Sequence, residues 1–512
     1  MLEIRNLSVR KITENRSLID DLSFTLNKGD KFAIIGLEGN GKSTLLKIIL
    51  GMDLDYIEYT GSVNYKKAKI GYLPQSIKAD WNDINVIDFL LKDNPKDSIN
   101  VDAYAKLSML DKTLNYVNFD KDIFDDSKNI AEYSGGEVVK LGLTKMLLKD
   151  PDILLLDEPT NDLDLDTVLF LENFIQNEKR PILFISHDEA LLQNTANGII
   201  HLVQTHKKTK AQSFFEKCSY DEYKTSRNLM IASQSMIAKK ERSNFKKKME
   251  KYRQIYQKVE HLQNQTVRNP TMARLLAKKI KSLKSTEKRF NQEKENFTEI
   301  PEVEEEIWLF FDEDISIPNN RVLIDYHIES LEVEGKVLSR DINLLLKGPA
   351  KICIIGKNGS GKTTLLKDIH NRLKNRDNVN VGYVGQNYDE QLENNKSAVD
   401  ILVDSRNREL AGPARKMMGA LHFTTEEMLY NQTDLSGGQK AKLLLLKTVI
   451  DKANVLILDE PTRNLSPLSI PVIHNLLLNY KGAIICVSHD RNFIENVFEE
   501  VYVLNENGLN KL

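Results

Sequence analysis

The sequence predicts an α/β protein: two tandem copies of one phosphate-loop domain, joined by a long antiparallel α-helical hairpin. Two observations carry the duplication. Glycine-rich loops at residues 36–43 (GLEGNGKS) and 356–363 (GKNGSGKT) lie 320 residues apart, and each opens the same ordered series of motifs. The later spacings also repeat, with 24 residues from Ser134 to Glu158 and from Ser436 to Glu460, then 29 to His187 and His489. A third observation carries the hairpin. There is no glycine over residues 199–334 and no proline over 182–269, so the two strongest helix breakers are missing from the middle of the chain.

Each loop follows a short apolar strand (32–35; 352–355) and precedes an apolar helix start at Thr44 or Thr364, the strand–loop–helix setting that phosphate binding needs. Gly36, Gly39 and Gly41, like Gly356, Gly359 and Gly361, let backbone N–H groups turn inward around phosphates. Lys42 or Lys362 neutralises them, and Ser43 or Thr363 can ligate Mg²⁺. Residues 153–156 and 455–458 read as strands buried on both faces, ending in Asp157-Glu158 and Asp459-Glu460. The aspartates suit Mg²⁺ held through water, and the glutamates suit a general base on the water attacking the γ-phosphate. Ser134-Gly135-Gly136 and Ser436-Gly437-Gly438 each open a helix, where exposed N–H donors and the positive dipole end suit a second phosphate contact. Each half already cradles its own nucleotide, so this second surface is expected to serve the other half's.

The loop-lysine-to-signature interval is 92 residues in the first half and 74 in the second (Lys42 to Ser134; Lys362 to Ser436). The extra material is expected within about residues 83–126. Three regions follow: 1–204, 205–300 and 301–512. In the middle one, Met249, Tyr252, Tyr256 and Val259 alternate steps of four and three as in a coiled-coil seam. The polar stretch Gln263, Asn264, Gln265, Thr266, Val267, Arg268, Asn269 breaks that pattern. Asn269-Pro270 then supplies an N-cap and a first-turn proline for a second helix to about residue 297. An acidic run with eight carboxylates over 299–314 is expected to lead into a strand at 307–311.

Composition bounds the classes. The 41% apolar content supports globular cores, and no apolar run approaches the roughly 18 residues of a membrane span. The N-terminus carries charges where a signal peptide needs an apolar core, so a cytoplasmic protein is expected. Three scattered cysteines (Cys218, Cys353, Cys486) support neither a disulfide framework nor a metal cluster. The net charge of −3 hides an asymmetry: residues 239–289 carry 17 Lys+Arg against 4 Asp+Glu, a net of +13, leaving −16 on the rest. A polyanion is the expected partner of the middle region.

The phosphate loops, Gln75 and Gln386 after their strands, the SGG signatures, the Asp-Glu pairs and the two histidines together resemble the ATP-binding cassette ATPases. Two cassettes around a long charged helical linker resemble the ABC-F family of ribosome-acting translation factors. The resemblance implies ATP hydrolysis to ADP and phosphate with Mg²⁺, Gln75 and Gln386 among its ligands. It implies a monomer whose cassettes pair head to tail. One site would join Lys42, Asp157, Glu158 and His187 to Ser436, Gly437 and Gly438, and the other Lys362, Asp459, Glu460 and His489 to Ser134, Gly135 and Gly136. It further implies ribosome binding (23S rRNA and P-site tRNA) through the hairpin, with the 263–269 tip toward the peptidyl-transferase centre. The compact first cassette points to protection of translation from antibiotics, the alternatives being a housekeeping translation factor or the ATPase subunit of a transporter. A DNA-binding chromosome ATPase would split one cassette around its coil, whereas each cassette here is complete, so neither DNA nor a membrane is expected as partner. Two departures predict unequal sites: Tyr133 and Glu137 flank the first signature, and Arg463 and Ser466 replace Asn161 and Asp164 after the second Asp-Glu pair. Without a clear aromatic over residues 2–10 or 324–333 to stack on a base, preference for ATP over GTP follows from the resemblance alone.

Overall fold

The computed structural model describes the chain except residues 13–15, 38, 78, 99–105, 120–124, 126, 161–162, 206–209, 266–269, 296, 298–314, 316, 334, 377, 393–395, 404–409, 422, 464 and 466–469. It divides into two compact units, one containing residues 1–220 with 304–512 and the other residues 221–303.

In the first unit, each cassette is built on a six-stranded sheet of the same topology. The first runs Ile70–Leu73, Ile153–Asp157, Ile182–Ile185, Lys31–Ile35, Gly198–Thr205, Lys210–Glu216. Its neighbours pair in parallel except the last two. The second repeats that order with Val381–Val384, Val455–Asp459, Ala483–Val487, Lys351–Ile355, Glu500–Asn505 and Gly508–Lys511. Strands Lys31–Ile35, Ile153–Asp157 and Ile182–Ile185 are buried throughout, as their unbroken apolar runs require of a parallel sheet covered on both faces. Against one face lies an antiparallel sheet. It has three strands in the first cassette (Arg16–Leu26, Leu2–Lys11, Ile57–Asn64) and two in the second (Val322–Val333, Lys336–Lys347). Apolar side chains from both sheets and the phosphate-loop helix form one core in each copy, with Leu7, Phe32 and Leu46 in the first and Tyr326, Ile354 and Leu366 in the second.

That third strand corrects one expectation. Lys42 and Gln75 are 33 residues apart against 24 for Lys362 and Gln386, and the onward distances to the signature serine are 59 and 50. Half of the 18 extra residues therefore precede Gln75 and include the region of strand Ile57–Asn64, which pairs with Leu2–Lys11. The alternation of this strand is weak because all but two of its residues are exposed, so period-two patterning could not reveal it. The boundary expected at residue 204 also falls inside a β-hairpin. Strand Lys210–Glu216 completes the first sheet, and the long helix begins at Tyr220.

The second unit is that hairpin. Helix Tyr220–Gln265 has 46 residues, about 69 Å at 1.5 Å per residue, and helix Pro270–Glu295 has 26. The pairing is antiparallel, with Phe245 against Phe290 and Phe297 (ring centroids 6.3 and 5.2 Å) and the Tyr252 hydroxyl donating to Glu287 Oε2 at 3.0 Å. Tyr252, Val259 and Leu276 are buried between the helices. All sixteen Lys and Arg of residues 239–289 whose side chains are described are exposed. Gln263, Asn264 and Gln265 complete the first helix instead of forming a turn, since nothing in a polar sequence without Gly or Pro breaks helical hydrogen bonding. Thr266, Val267, Arg268 and Asn269 lie outside the described residues, as does the expected strand at 307–311.

Candidate nucleotide sites

The phosphate loops have the same backbone in both copies. φ is +76° and +90° at Gly39 and Gly41, and +78° and +93° at Gly359 and Gly361, left-handed values open to glycine at little cost. A Cβ on Gly36 would stand 2.4 Å from the Leu202 carbonyl oxygen, and one on Gly356 2.5 Å from that of Leu504, so the neighbouring strand excludes any side chain. Lys42 Nζ donates to the Gly36 and Leu37 carbonyls (2.8 and 3.2 Å), and Lys362 Nζ to those of Gly356 and Lys357 (2.7 and 2.9 Å). Both ammonium groups are thus folded over their own loops. Burial lowers the Lys362 pKa, a cost that an anionic phosphate would offset. Thr44 follows half-buried on the first helix, and Thr364 lines the second site's cavity.

The strand-end carboxylates converge on these loops. Ser43 Oγ donates to Asp157 Oδ1 at 3.1 Å, and the Tyr72 hydroxyl donates to Oδ2 at 3.1 Å. Glu158 accepts from Gln75 Nε2 at 2.6 Å and lies 3.0 Å from His187 Nε2. In the second copy His489 Nε2 is 3.6 Å from Glu460 Oε1, a looser contact. Glu158 and Glu460 both have left-handed backbones, φ +48° and +55°, a costly conformation for a side-chain-bearing residue. Bonds from Glu158 N to the Ile185 carbonyl and from Glu460 N to the Val487 carbonyl tie these turns to the strand preceding each histidine. Strain repeated at the same residue in both copies marks where the sheet aims a carboxylate at the loop.

Burial raises the pKa of Asp157 and of Asp459. Among the described residues, neither carboxylate oxygen of Asp459 has a hydrogen-bond donor in bonding geometry. Buried, electron-rich and undersatisfied, Asp459 fits a divalent ion, with Thr363 as second ligand; Asp157 and Ser43 fit it in the first copy. No cluster of three His, Cys, Asp or Glu among the described residues could hold a metal unaided. Mg²⁺ keeps several waters and binds through one carboxylate together with nucleotide phosphates, and Asp459 with Thr363, or Asp157 with Ser43, offers that donor set.

A cavity of 840 Å³ opens at the second loop. Gly359, Lys362, Thr363, Gln386, Glu460 and His489 line it from their own cassette, and Thr160, Leu163, His187 and Asp188 from the other. The first cassette reaches across with Asp164, whose Oδ1 caps its own helix by accepting from Thr167 N and whose Oδ2 accepts from Asn358 N at 3.4 Å. Burial opposes ionisation of Asp164, but the bonds from Thr167 and Asn358 outweigh it and hold its pKa below the usual range. The Asp164/Ser466 difference is visible in the sequence, but that Asp164 touches the opposite loop is not. Val333, Lys336, Leu338 and Arg463 on the cavity wall are equally hidden as lining residues, because nothing local in the chain marks them.

Both signatures sit at helix N-termini. Ser134 caps Gly135–Leu147 and Ser436 caps Gly437–Ile450, each in a capping box closed by Glu137 or Gln439. The Glu/Gln difference is therefore neutral for the cap. Gly136 has a packing reason of its own, since a Cβ there would stand 2.5 Å from Thr167 Oγ1. Ser134, Gly135, Gly136, Ser436, Gly437 and Gly438 are absent from the described lining of the 840 Å³ cavity. The structure assembles loop, Asp, Glu and His within each cassette, and does not bring a signature onto the second loop.

Burial, with Asp459 alongside, pushes the Glu460 pKa up to about 8, whereas burial and Lys362 push that of His489 down to about 4. Burial thus favours the protonated carboxyl of Glu460 and the neutral ring of His489. A folded-state pKa above the ordinary 4.5 means that stability falls as pH rises from about 4.5 to about 8, since only the unfolded chain loses the proton there. The slope is at most about 1.4 kcal/mol per pH unit. Thermal scans from pH 5 to 8.5 should show the melting temperature falling relative to Glu460→Gln across this window. Parallel profiles would mean that Glu460 ionises normally in the folded chain.

The family described as ABC transporter matches residues 19–161 and 339–463. ATP-binding protein Uup of Buchnera aphidicola subsp. Schizaphis graminum is 31% identical over 503 residues, covering 94% of this chain and 78% of that protein. ABC transporter F family member 5 of Arabidopsis thaliana is 26% identical, covering 96% and 74%. Among solved structures, the archaeal ribosome recycling factor aABCE1, in complex with ribosomal stalk protein aP1, aligns with a TM-score of 0.59 at 15% identity, covering 98% of this chain and 89% of that one. That likeness is one of fold. Among the described residues no helix is long and apolar enough to cross a membrane.

Proposed function

The chain belongs to the ABC-F family of ATP-binding cassette proteins and is an ATPase; from that premise we propose that it binds the ribosome in its ATP state through the basic hairpin and protects translation from ribosome-targeting antibiotics. The observation that carries the reading is the placement of charge. Of residues 239–289, which carry the +13 excess, every described Lys and Arg side chain lies on one of the two long helices and is exposed, while the rest of the chain is acidic. Such a surface recruits a polyanion, and the negative cassettes repel one, so contact is directed to the hairpin. The folding likeness to a protein named as a ribosome recycling factor agrees with this choice of polyanion. Residues 263–269 are the segment set near P-site tRNA and the peptidyl-transferase centre, and the work is done in the cytoplasm.

Within each site, Lys42 and Lys362 leave their loop carbonyls for the phosphates. Ser43 with Asp157, and Thr363 with Asp459, would hold Mg²⁺, with Gln75 and Gln386 alongside, and a bound ion would neutralise charge that builds on the departing ADP. Glu158 and Glu460 take the proton of the attacking water, oriented by His187 and His489. The signatures Ser134–Gly136 and Ser436–Gly438 close each site from the opposite cassette and donate N–H groups to the γ-phosphate.

The test is deletion of residues 263–269 in a susceptible host, with inhibitory concentrations measured across lincosamides, pleuromutilins, streptogramins A, macrolides and oxazolidinones. Wild type should raise at least one of them, and the deletion should abolish that gain while ATP turnover stays within about twofold. Wild type raising none, while still co-sedimenting with ribosomes, would replace protection by a housekeeping role in translation. Co-sedimentation with membranes and not ribosomes would favour the transporter subunit.

A further inference from the structure

The two copies hold their strand-end aspartates differently, and a tyrosine on the adjoining strand makes the difference. Tyr72 pairs with Leu155 and Tyr383 with Ile457 in the parallel register, so each ring lies on the same sheet face as the aspartate two residues further on, Asp157 or Asp459. From there a phenol can lean along the strand onto the carboxylate. In the first copy it does so. The Tyr72 hydroxyl donates to Asp157 Oδ2 and Ser43 Oγ to Oδ1, each at 3.1 Å, and both oxygens are held. In the second copy, among the described residues, no donor reaches either Asp459 oxygen in bonding geometry and the Tyr383 hydroxyl has no hydrogen-bond partner. Tyr383 nevertheless lies close enough to Asp459 to feel its charge. A buried donor and a buried acceptor left unpaired near each other are both costly, so a local cause must keep them apart.

Two departures from the repeat supply it. Pro74, two residues after Tyr72, is matched by Gly385, two after Tyr383. A Cβ on Gly385 would stand 2.8 Å from the Tyr383 hydroxyl and 2.9 Å from its Cε1 and from Gln391 Nε2, so the phenol occupies space that glycine leaves open. Pro74 carries a Cβ at the matching position, which leaves the Tyr72 hydroxyl to face Asp157. Leu50, eight residues after Lys42, is matched by His370, eight after Lys362. The imidazole of His370 stacks on the Tyr383 ring, with centroids 4.8 Å and planes 27° apart. Gly385 thus gives the second tyrosine a place away from the aspartate, and His370 packs it there.

We infer that Tyr72 and Tyr383 are positioning residues for the metal-binding aspartates, a latch closed on Asp157 and open on Asp459, and that Gly385 sets the open position. Groups that hydrogen-bond a metal-ligating carboxylate fix its direction, and their loss typically lowers metal affinity by about 10- to 100-fold. The first site should therefore gain more nucleotide affinity from Mg²⁺ than the second. The inference rests on the reading of Asp157 and Asp459 as Mg²⁺ ligands, and on neither the ribosome nor the pairing of the cassettes.

Equilibrium binding of ADP to the full chain, in excess Mg²⁺ and again in EDTA, tests it, with Lys362→Ala leaving the first site and Lys42→Ala the second. The ratio of the two Kd values is the Mg²⁺ gain. At the first site Tyr72→Phe should lower that gain about tenfold, while the Kd in EDTA stays within about twofold of its parent. At the second site Tyr383→Phe should change the gain less than about twofold, because no bond is lost. Gly385→Ala keeps the backbone N–H that donates to Gln391 Oε1 and adds only the missing Cβ. It should turn the phenol onto Asp459 and raise the gain severalfold, and adding Tyr383→Phe should cancel the rise. An unchanged gain in Tyr72→Phe, an equal loss in Tyr383→Phe, EDTA affinity falling as far as Mg²⁺ affinity, or no Tyr383-dependent rise in Gly385→Ala would overturn the latch. Asp157→Ala separates the two readings. A gain lost there but unchanged in Tyr72→Phe removes the latch alone, whereas a gain that persists in Asp157→Ala removes the metal reading and the latch with it. If Gly385→Ala does not fold, the two Tyr→Phe variants decide.

Discussion

ATP turnover by the Glu158→Gln/Glu460→Gln variant is expected to fall by about 10²- to 10⁴-fold, the usual contribution of a positioned general base. Glutamine keeps the shape of each side chain and its capacity to accept from Gln75 or meet the histidine, but it cannot take a proton. The backbone supports a specific loss and not unfolding. Glu158 and Glu460 stand in strained left-handed turns tied to the strand before each histidine, and the substitution leaves φ and those N–H bonds untouched. The single variants should differ. Glu158 is held at 2.6 Å by Gln75 and 3.0 Å by His187, whereas Glu460 stands 3.6 Å from His489. Glu158→Gln should therefore cost more of the total turnover than Glu460→Gln. Steady-state phosphate release measures all of this; turnover above a tenth of wild type in the double variant would move the base elsewhere.

Replacing Lys246, Lys247 and Lys248 by glutamine is expected to weaken ribosome binding about tenfold or more at moderate salt while leaving ATP turnover without ribosomes unchanged. These side chains are exposed and adjacent on helix Tyr220–Gln265, so the substitution removes charge from the hairpin's surface and leaves the buried Tyr252 and Val259 in place. A lysine paired with a phosphate contributes through counterion release, so the logarithmic salt dependence of the affinity should become shallower by roughly one for each lysine–phosphate pair removed. Ribosome co-sedimentation of the Glu→Gln double variant with ATP, carried out at several salt concentrations, reads both quantities. An unchanged slope would show that these lysines are a solvated face and that the ribosome is held by other groups.

Local chemistry made much of this protein readable in one dimension. Phosphate loops need glycines where φ is positive or a neighbouring backbone is close, and the close approach of the Leu202 and Leu504 carbonyls to Gly36 and Gly356 shows why no other residue serves. Strands buried on both faces cannot carry polar residues until they end, which is why Asp157 and Glu158 stand out after an apolar run. Helices without Gly or Pro extend, as the hairpin does, even through the polar residues Gln263 to Gln265 that read as a turn. Strand Ile57–Asn64 went unread for the opposite reason: it is exposed and is held mainly by pairing with Leu2–Lys11.

By itself, then, the sequence determined two complete cassettes, their phosphate chemistry and a separate basic hairpin, because each depends on residues close together in the chain. Only the tertiary structure decided that Asp164 meets the opposite phosphate loop and that Glu172 pairs with Arg491 across 319 residues. Contacts of that kind carry no local pattern, because a carboxylate destined for a partner in the other cassette looks, in sequence, like any solvated one. The departures from repeat symmetry visible in the chain, Asp164 against Ser466 among them, gain a contact only in the fold, where Asp164 accepts from Asn358 of the other cassette.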